Sequence, residues 1–187
     1  GQPGGSSSAW QTSVTYQDTG LSENTRYGYR VKSRDSMPTP NETAYSAPDA
    51  FCYTLISAPQ GVSAANPTAT TVELSAIGSF PNMAEGETGV QFEGGDWTGD
   101  WKKDTKDTAT GLTPNTPYTF RARSRNGDGI ETDWSAGTGS VRTLAAAPTP
   151  LPYGPITKDS IQANWGANGN PSGTEYFCEE TTTSQNS

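Results

Sequence analysis

Two stretches of this chain are near copies of one another. Gly20-Leu21-Ser22-Glu23-Asn24-Thr25-Arg26-Tyr27-Gly28-Tyr29-Arg30-Val31-Lys32-Ser33-Arg34 recurs as Gly111-Leu112-Thr113-Pro114-Asn115-Thr116-Pro117-Tyr118-Thr119-Phe120-Arg121-Ala122-Arg123-Ser124-Arg125, 91 positions further on. Self-similarity at a fixed spacing marks a tandem array of one structural unit, here of about 90 residues. Apolar residues alternate with polar ones in the second copy, and nowhere do they recur at i, i+3, i+4 and i+7 over a sustained stretch. Only 30% of the 187 residues are hydrophobic, while 21 are Gly and 14 are Pro. Such a balance suits thin sandwiches whose strands bury one face. An all-β protein is expected.

Charge and missing residue types exclude several functions. The formal charge of −8 repels phosphate, and no Lys/Arg stripe offsets it, so nucleic acid is not an expected partner. No run of apolar residues is long enough for a transmembrane helix, so no membrane insertion is expected. His is absent, which removes the commonest general base and neutral metal ligand. A carboxylate pair acting as a glycosidase needs a sugar-sized cleft, which a small sandwich does not provide. No enzyme activity and no cofactor are expected. The Gly1–Ser8 stretch reads as neither signal peptide nor initiator, and the sequence is expected to begin inside a longer or processed chain.

Residues 56–144 read as one complete module. Ala58-Pro59-Gln60-Gly61-Val62 enters an edge strand A, and Val72, Leu74 and Ala76 alternate inward on strand B. Val90 and Phe92 do the same on a third strand, and Trp101-Lys102-Lys103 follows a Gly/Asp-rich turn. Leu112 precedes the turn Thr113–Thr116. Tyr118, Phe120 and Ala122 then share one face before a polar loop, Trp134-Ser135, and a last strand over Ser140–Leu144.

The order Gly-Leu-x-Pro-x-Thr-x-Tyr-x-Phe-x-Ala, polar loop, Trp-Ser and Val-Arg-Thr strand resembles a fibronectin type III domain over residues 57–144. The resemblance implies a seven-stranded sandwich of two antiparallel sheets. It also implies that Tyr118 is the tyrosine-corner residue, its ring buried and its hydroxyl bonded back to nearby backbone. The family's core Trp at the end of strand B is Ala76 here, so Trp97 or Trp101 fills the volume or the core is locally thinner.

The flanks read as complementary parts of the same module. Residues 1–55 carry only its later strands, C′ to G, with Trp10, Val14-Thr15-Tyr16, the first signature copy and Phe51–Leu55. Residues 145–187 carry only strands A to C, with Ala147–Pro150, Ser160–Trp165 and Glu175–Glu179. A fragment of three or four strands leaves an apolar face and open edges in water. The expected partner is therefore a copy of the chain itself, head to tail. Three arrangements stay open: a continuous array, strand complementation between chains, and closure within one chain. The expected cores are Leu74, Phe92, Leu112, Tyr118, Phe120 and Val141 in the complete module, and Trp165, Tyr176, Leu21, Tyr27, Tyr29 and Val31 in the composite one.

Cys52 aligns with Val141 and Cys178 with Phe92, both core-facing, on strands about 10 Å apart. Two buried free thiols are expected, with a bridge between complementary halves as the alternative. Asp96, Asp100, Asp104 and Asp107, and then Asn126, Asp128, Glu131 and Asp133, cluster on loops. Neither run has the spacing of a dedicated calcium loop, so solvated carboxylates are expected and Ca²⁺ on the acidic loops is the alternative. Trp10, Trp97, Trp101 and Trp134 could stack on sugars, yet Trp101 matches Trp10 and Trp134 matches Tyr45, which favours packing. Asn41-Glu42-Thr43 is an N-glycosylation acceptor, and Ser6–Ser8 and Thr181–Ser184 suit O-linked sugar. The Pro-bearing linkers Ile56–Pro59 and Ala145–Pro150 imply a semi-rigid rod. These features point to an extracellular or cell-surface structural and adhesive repeat protein, the building block of a fibre, filament or coat. Glycans or cell-surface proteins are further expected partners. The rival reading is a spacer or carbohydrate- or protein-binding accessory module of a larger secreted enzyme or adhesin.

Overall fold

The computed structural model describes residues 5–47 and 49–181. Among these residues the regular structure is entirely β, in twelve short strands. The N-terminal segment holds β1 (Arg26–Tyr29) and β2 (Ala50–Tyr53), an antiparallel pair that sets Tyr27 opposite Cys52. The central segment holds β3 (Gly61–Ala65), β4 (Val72–Ile77), β5 (Gly89–Gly94), β6 (Trp97–Thr98), β7 (Lys106–Ala109), β8 (Pro117–Tyr118), β9 (Arg121–Arg125) and β10 (Val141–Arg142). The C-terminal segment holds β11 (Thr149–Leu151) and β12 (Asn164–Gly166).

Two sheets face each other in the central segment, ordered β3-β4-β7 and β6-β5-β9, with β10 paired to β8. All pairings are antiparallel. β8 and β9 are one strand interrupted at Thr119 and Phe120, so the sandwich has seven strands. Alternation in β4 and β5 explains their inward faces: Val72, Leu74, Val90 and Phe92 are buried while Glu73 and Gln91 are not. Val62, Ala109, Leu112, Phe120 and Ala122 complete the core, where each large apolar side chain contributes about 1.5–3 kcal/mol by leaving water. Tyr118 and Val141 are half-buried at its margin. Trp97 meets Phe120 edge-on at 6.5 Å and, like Ala76, packs against this core. Trp101 lies on the outer face.

The structure corrects several expectations in the flanking segments. Val31, at 72% exposure, and Trp165, at 40%, are exposed, while Leu21, Tyr29 and Tyr176 are half-buried; only Tyr27 of that set is buried. Cys52 and Cys178 are exposed free thiols and not buried ones. The physical reason is common to all of these. Each lies in or beside a two-stranded sheet, and among the described residues no second sheet covers the inward face. Val14–Tyr16 and Glu175–Glu179 likewise form no strand, because a strand without a partner leaves its backbone groups to water.

Candidate functional site

Three arrangements recur at matched positions in the N-terminal and central segments. The first lies on the outer face of β9. Successive outward residues of a strand fall on one side, so Arg121, Arg123 and Arg125 form a row. Arg121 and Arg123 sit 5.1 and 4.6 Å from the Trp134 ring centre, and Arg123 and Arg125 sit 5.1 and 4.7 Å from that of Trp101. The N-terminal segment builds the same stack: Arg30 and Lys32 lie 4.2 and 5.1 Å from Tyr45, and Lys32 and Arg34 lie 5.5 and 4.4 Å from Trp10. Glu93 pairs with Arg121 at 2.6 Å, Glu131 with Arg123, and Glu87 with Arg125 at 3.3 Å. Each ring–cation contact contributes on the order of 0.5–1 kcal/mol. The rings are occupied by the chain's own cations, an arrangement suited to stiffening the sheet.

The second arrangement is a ladder of hydroxyls. Thr132, Ser135 and Thr138 donate their backbone N–H to the carbonyls of Ser124, Ala122 and Phe120 at 2.8, 2.7 and 2.7 Å. Their hydroxyl oxygens accept the N–H of the same three residues at 3.1, 3.1 and 3.0 Å. A backbone carbonyl would accept those amides in a regular strand. The spacing of three is that of an extended left-handed helix with three residues per turn, which brings every third side chain to the same side. Thr43 and Ser46 repeat the device on Ser33 and Val31. Ser135→Ala is expected to leave the amide of fully buried Ala122 unpaired and to cost about 1–3 kcal/mol. Thermal unfolding checks this, and Ser135→Thr should restore stability because it keeps the hydroxyl.

The third arrangement joins the segments. Asn24 is fully buried with φ 45°, a left-handed conformation that Asn tolerates. Its Nδ2 donates to the Pro81 carbonyl at 2.7 Å and to Thr88 Oγ1 at 3.1 Å, and its Oδ1 accepts the Gly127 N–H at 3.0 Å. Asn82 reciprocates, donating to the Asn24 carbonyl at 3.0 Å and to Thr25 Oγ1 at 2.9 Å. Asn126 donates to the Thr54 carbonyl at 3.2 Å, and Asp128 accepts the Tyr53 N–H at 2.7 Å. Gly127 has to lack a side chain: a Cβ there would sit 2.5 Å from the Tyr53 ring. At the opposite pole of the sandwich Asn115, with φ 47°, donates to Thr174 Oγ1 at 2.9 Å. Asn170 exchanges bonds of 2.8 Å with the backbone of Ala146. Asn24–Thr88 and Asn115–Thr174 are thus equivalent contacts, and Asn82 and Asn168, both near φ 50°, hold equivalent turns.

Sheet order and one further bond establish the fold type. The Tyr118 hydroxyl accepts the Thr113 N–H at 2.9 Å, the corner that closes a chain crossing from one sheet to the other. Tyr27 does the same for Ser22 at 2.8 Å. The central unit is a fibronectin type III-like sandwich. No protein-family profile and no curated protein matches the chain. Among solved structures it is similar to titin domains A168–A170, at 16% identity and TM-score 0.39 over 51% of this chain and 37% of that one. It is also similar to the chicken CNTN1 FN1–FN3 domains, at 20% identity and TM-score 0.37 over 51% and 36%. Rat CD45 domains d3–d4 match at 14% identity and TM-score 0.38, over 76% and 78%. The matched region spans little more than a third of the first two.

The remaining candidate residues, in the fibronectin type III-like unit and its flanks, are dispersed. Asp107 pairs with Lys102 and Asp104 accepts the Lys106 N–H at 3.1 Å. Glu131 and Asp128 are committed to Arg123 and Tyr53 as described. No group of three metal-ligating side chains is assembled among the described residues, and no helix there is long and apolar enough to cross a membrane. Asn41 is exposed in a loop, its Nδ2 donating to Asp35 at 2.8 Å. Ser6–Ser8 are exposed, whereas residues 182–184 of the second polar tract lie outside the described residues. Asp18 is bound by the Ser6 hydroxyl and N–H and by the Tyr29 hydroxyl. The Ser6 hydroxyl, ahead of its N–H, holds the Asp18 carboxyl below its ordinary value. A depressed carboxyl favours the folded state above its unfolded pKa, and that preference is lost as pH falls through the folded value. The Ser6–Asp18 clasp is therefore expected to open only below the ordinary carboxylate range, seen as an acid-induced shift of the Ser6 amide resonance.

Proposed function

We propose that this chain is an extracellular or cell-surface structural repeat protein, the building block of a fibre, filament or coat. Residues 56–144 form one module, and the segments 1–55 and 145–187 are the two parts of a second. Successive units join head to tail, in a continuous array or by strand complementation. The observation that carries this reading is the recurrence of one junction at both poles of the central sandwich, through Asn24–Thr88 and Asn115–Thr174. A spacer between unrelated domains needs no such match. An array needs it at every step, because a constant contact between successive units makes a regular rod. The buried polar contacts at the first junction fix orientation more than they add affinity, since each N–H and C=O has a defined partner. Adhesion would then belong to the fibre, through exposed loops such as the one bearing Asn41.

Cryo-electron microscopy of the assembled protein tests the proposal. The expected image is a filament one sandwich wide with an axial repeat of two modules. Isolated particles at high concentration, or rings, would overturn it.

A further inference from the structure

The two flanking segments expose apolar side chains: Val14 and Val31 at one end, Ile161 and Trp165 at the other, with Val31 at 72% and Ile161 at 65% exposure. They cannot cover each other within one chain. The N-terminal segment docks at the pole formed by Pro81–Thr88 and Asn126–Asp128, and the C-terminal segment docks at the pole carrying Asn115. The central sandwich stands between them.

Resting on the proposed head-to-tail assembly, we infer that the occupant of each face is a second copy of this chain, seated in a single register that sets Glu179 opposite Arg30, Cys178 opposite Val31 and Glu175 opposite Arg34. The register follows from the central sandwich, where β5 pairs β9 with Glu93 opposite Arg121, Phe92 opposite Ala122 and Gly89 opposite Arg125. Thr88 and Thr174 contact equivalent Asn residues, so Gly89, Phe92 and Glu93 correspond to Glu175, Cys178 and Glu179. The repeated signature makes Arg121, Ala122 and Arg125 correspond to Arg30, Val31 and Arg34.

Three consequences of this transfer support it. Glu179–Arg30 reproduces the Glu93–Arg121 pair seen at 2.6 Å, and Glu175–Arg34 adds a second pair of opposite charge on the same strands. Val31 and Cys178 meet on the inward face that Ala122 and Phe92 occupy in the central sandwich. A slip of one residue would turn that face outward and leave both carboxylates without their partners, so the register is strongly specified. The contact is also heterologous, with different surfaces on the two partners, so it propagates along an axis.

The same register separates the cysteines. Cys52 pairs with Tyr27, four residues along the strand from Val31 and on its other flank. That places the two sulfurs roughly 16 Å apart from strand rise and spacing, beyond the ~7 Å Cα limit for a bridge. Both thiols, free and exposed in the single chain, become covered on assembly and stay unlinked.

The test measures sedimentation velocity against concentration, together with the rate of thiol labelling by a maleimide, for four samples. These are the native chain, Glu175→Lys/Glu179→Lys, Arg30→Glu/Arg34→Glu, and an equimolar mixture of the two variants. Central-module melting is followed in each as a folding control. The native chain is expected to elongate with concentration and to slow labelling of both thiols by at least tenfold. The Glu→Lys variant, whose altered residues make no side-chain hydrogen bond or ion pair among the described residues, is expected to associate at least roughly tenfold more weakly. The mixture is expected to recover association at the junction where the reversed charges meet. Association with protected thiols that is indifferent to charge reversal overturns the register and leaves the head-to-tail reading standing. A native chain that stays monomeric with reactive thiols at every concentration overturns both.

Discussion

Phe120→Ala is expected to cost about 3–5 kcal/mol, the usual range for emptying an aromatic site in a core. Phe120 is fully buried, stacked on Tyr118 at 6.0 Å and met edge-on by Trp97 at 6.5 Å. Its ring lies so close to the backbone of Gly94 that no side chain fits there, so the site cannot collapse by moving that strand inward without disturbing the β5–β9 ladder. For a module of this size each kcal/mol lowers Tm by about 4–8 °C, and the expected shift is therefore more than about 12 °C. Scanning calorimetry of the full chain checks it. A shift of only a few degrees would mean that the core repacks around Trp97, contrary to the rigid arrangement described.

Asn24→Ala is expected to act elsewhere, on the coupling between segments. The substitution removes the partners of the Gly127 N–H and the Pro81 carbonyl in a buried junction. Each orphaned group costs about 1–3 kcal/mol, and the left-handed backbone at φ 45° disfavours a β-carbon without a side-chain bond. A total of about 3 kcal/mol is expected, against undocking of residues 5–55 and not against melting of the central sandwich. Hydrogen exchange at the Gly127 amide reads this directly, because that proton's acceptor is the Asn24 side chain. Exchange should rise on the order of a hundredfold, since about 2.7 kcal/mol corresponds to that factor at room temperature, while the amides of β4 and β5 keep their protection. Equal acceleration in all strands would show that the junction and the sandwich unfold together.

Much of the central sandwich was legible because its signals are local. Val72 and Leu74 alternate with polar residues and are buried, and the Gly111–Arg125 segment carries its turn, its corner tyrosine and its inward face in a short window. β7 was not legible. Lys106-Asp107-Thr108-Ala109 offers Ala109 as its one buried apolar side chain, and the strand forms because β4 presents a matching row of backbone groups. The hydroxyl ladder was missed for a different reason. Thr132, Ser135 and Thr138 recur at three, and a search for periods of two and 3.6 passes over them. Equivalence of Trp101 with Trp10 and of Trp134 with Tyr45 could be read from spacing, but not the Arg and Lys residues that separate the rings, since that pairing arises between distant strands. Val31 and Trp165 read as interior because their pattern describes a finished module. Inside or outside is a property of the covered sheet, and in a single chain their sheets are open.

The hydroxyl ladder also bears on the flank of the sandwich. An ordinary edge strand offers amides and carbonyls in a row with a period of two, a template on which another strand can lie. The segment from Thr132 to Thr138 is bonded at a period of three, with its amides at 132, 135 and 138 donating inward. An incoming strand of period two finds no register along it. Sideways fusion of sheets, the route by which β-rich proteins pass into cross-β aggregates, is therefore closed on this flank. Along this flank the amides and carbonyls that a neighbouring strand would need at 120, 122 and 124 are already bonded within the chain.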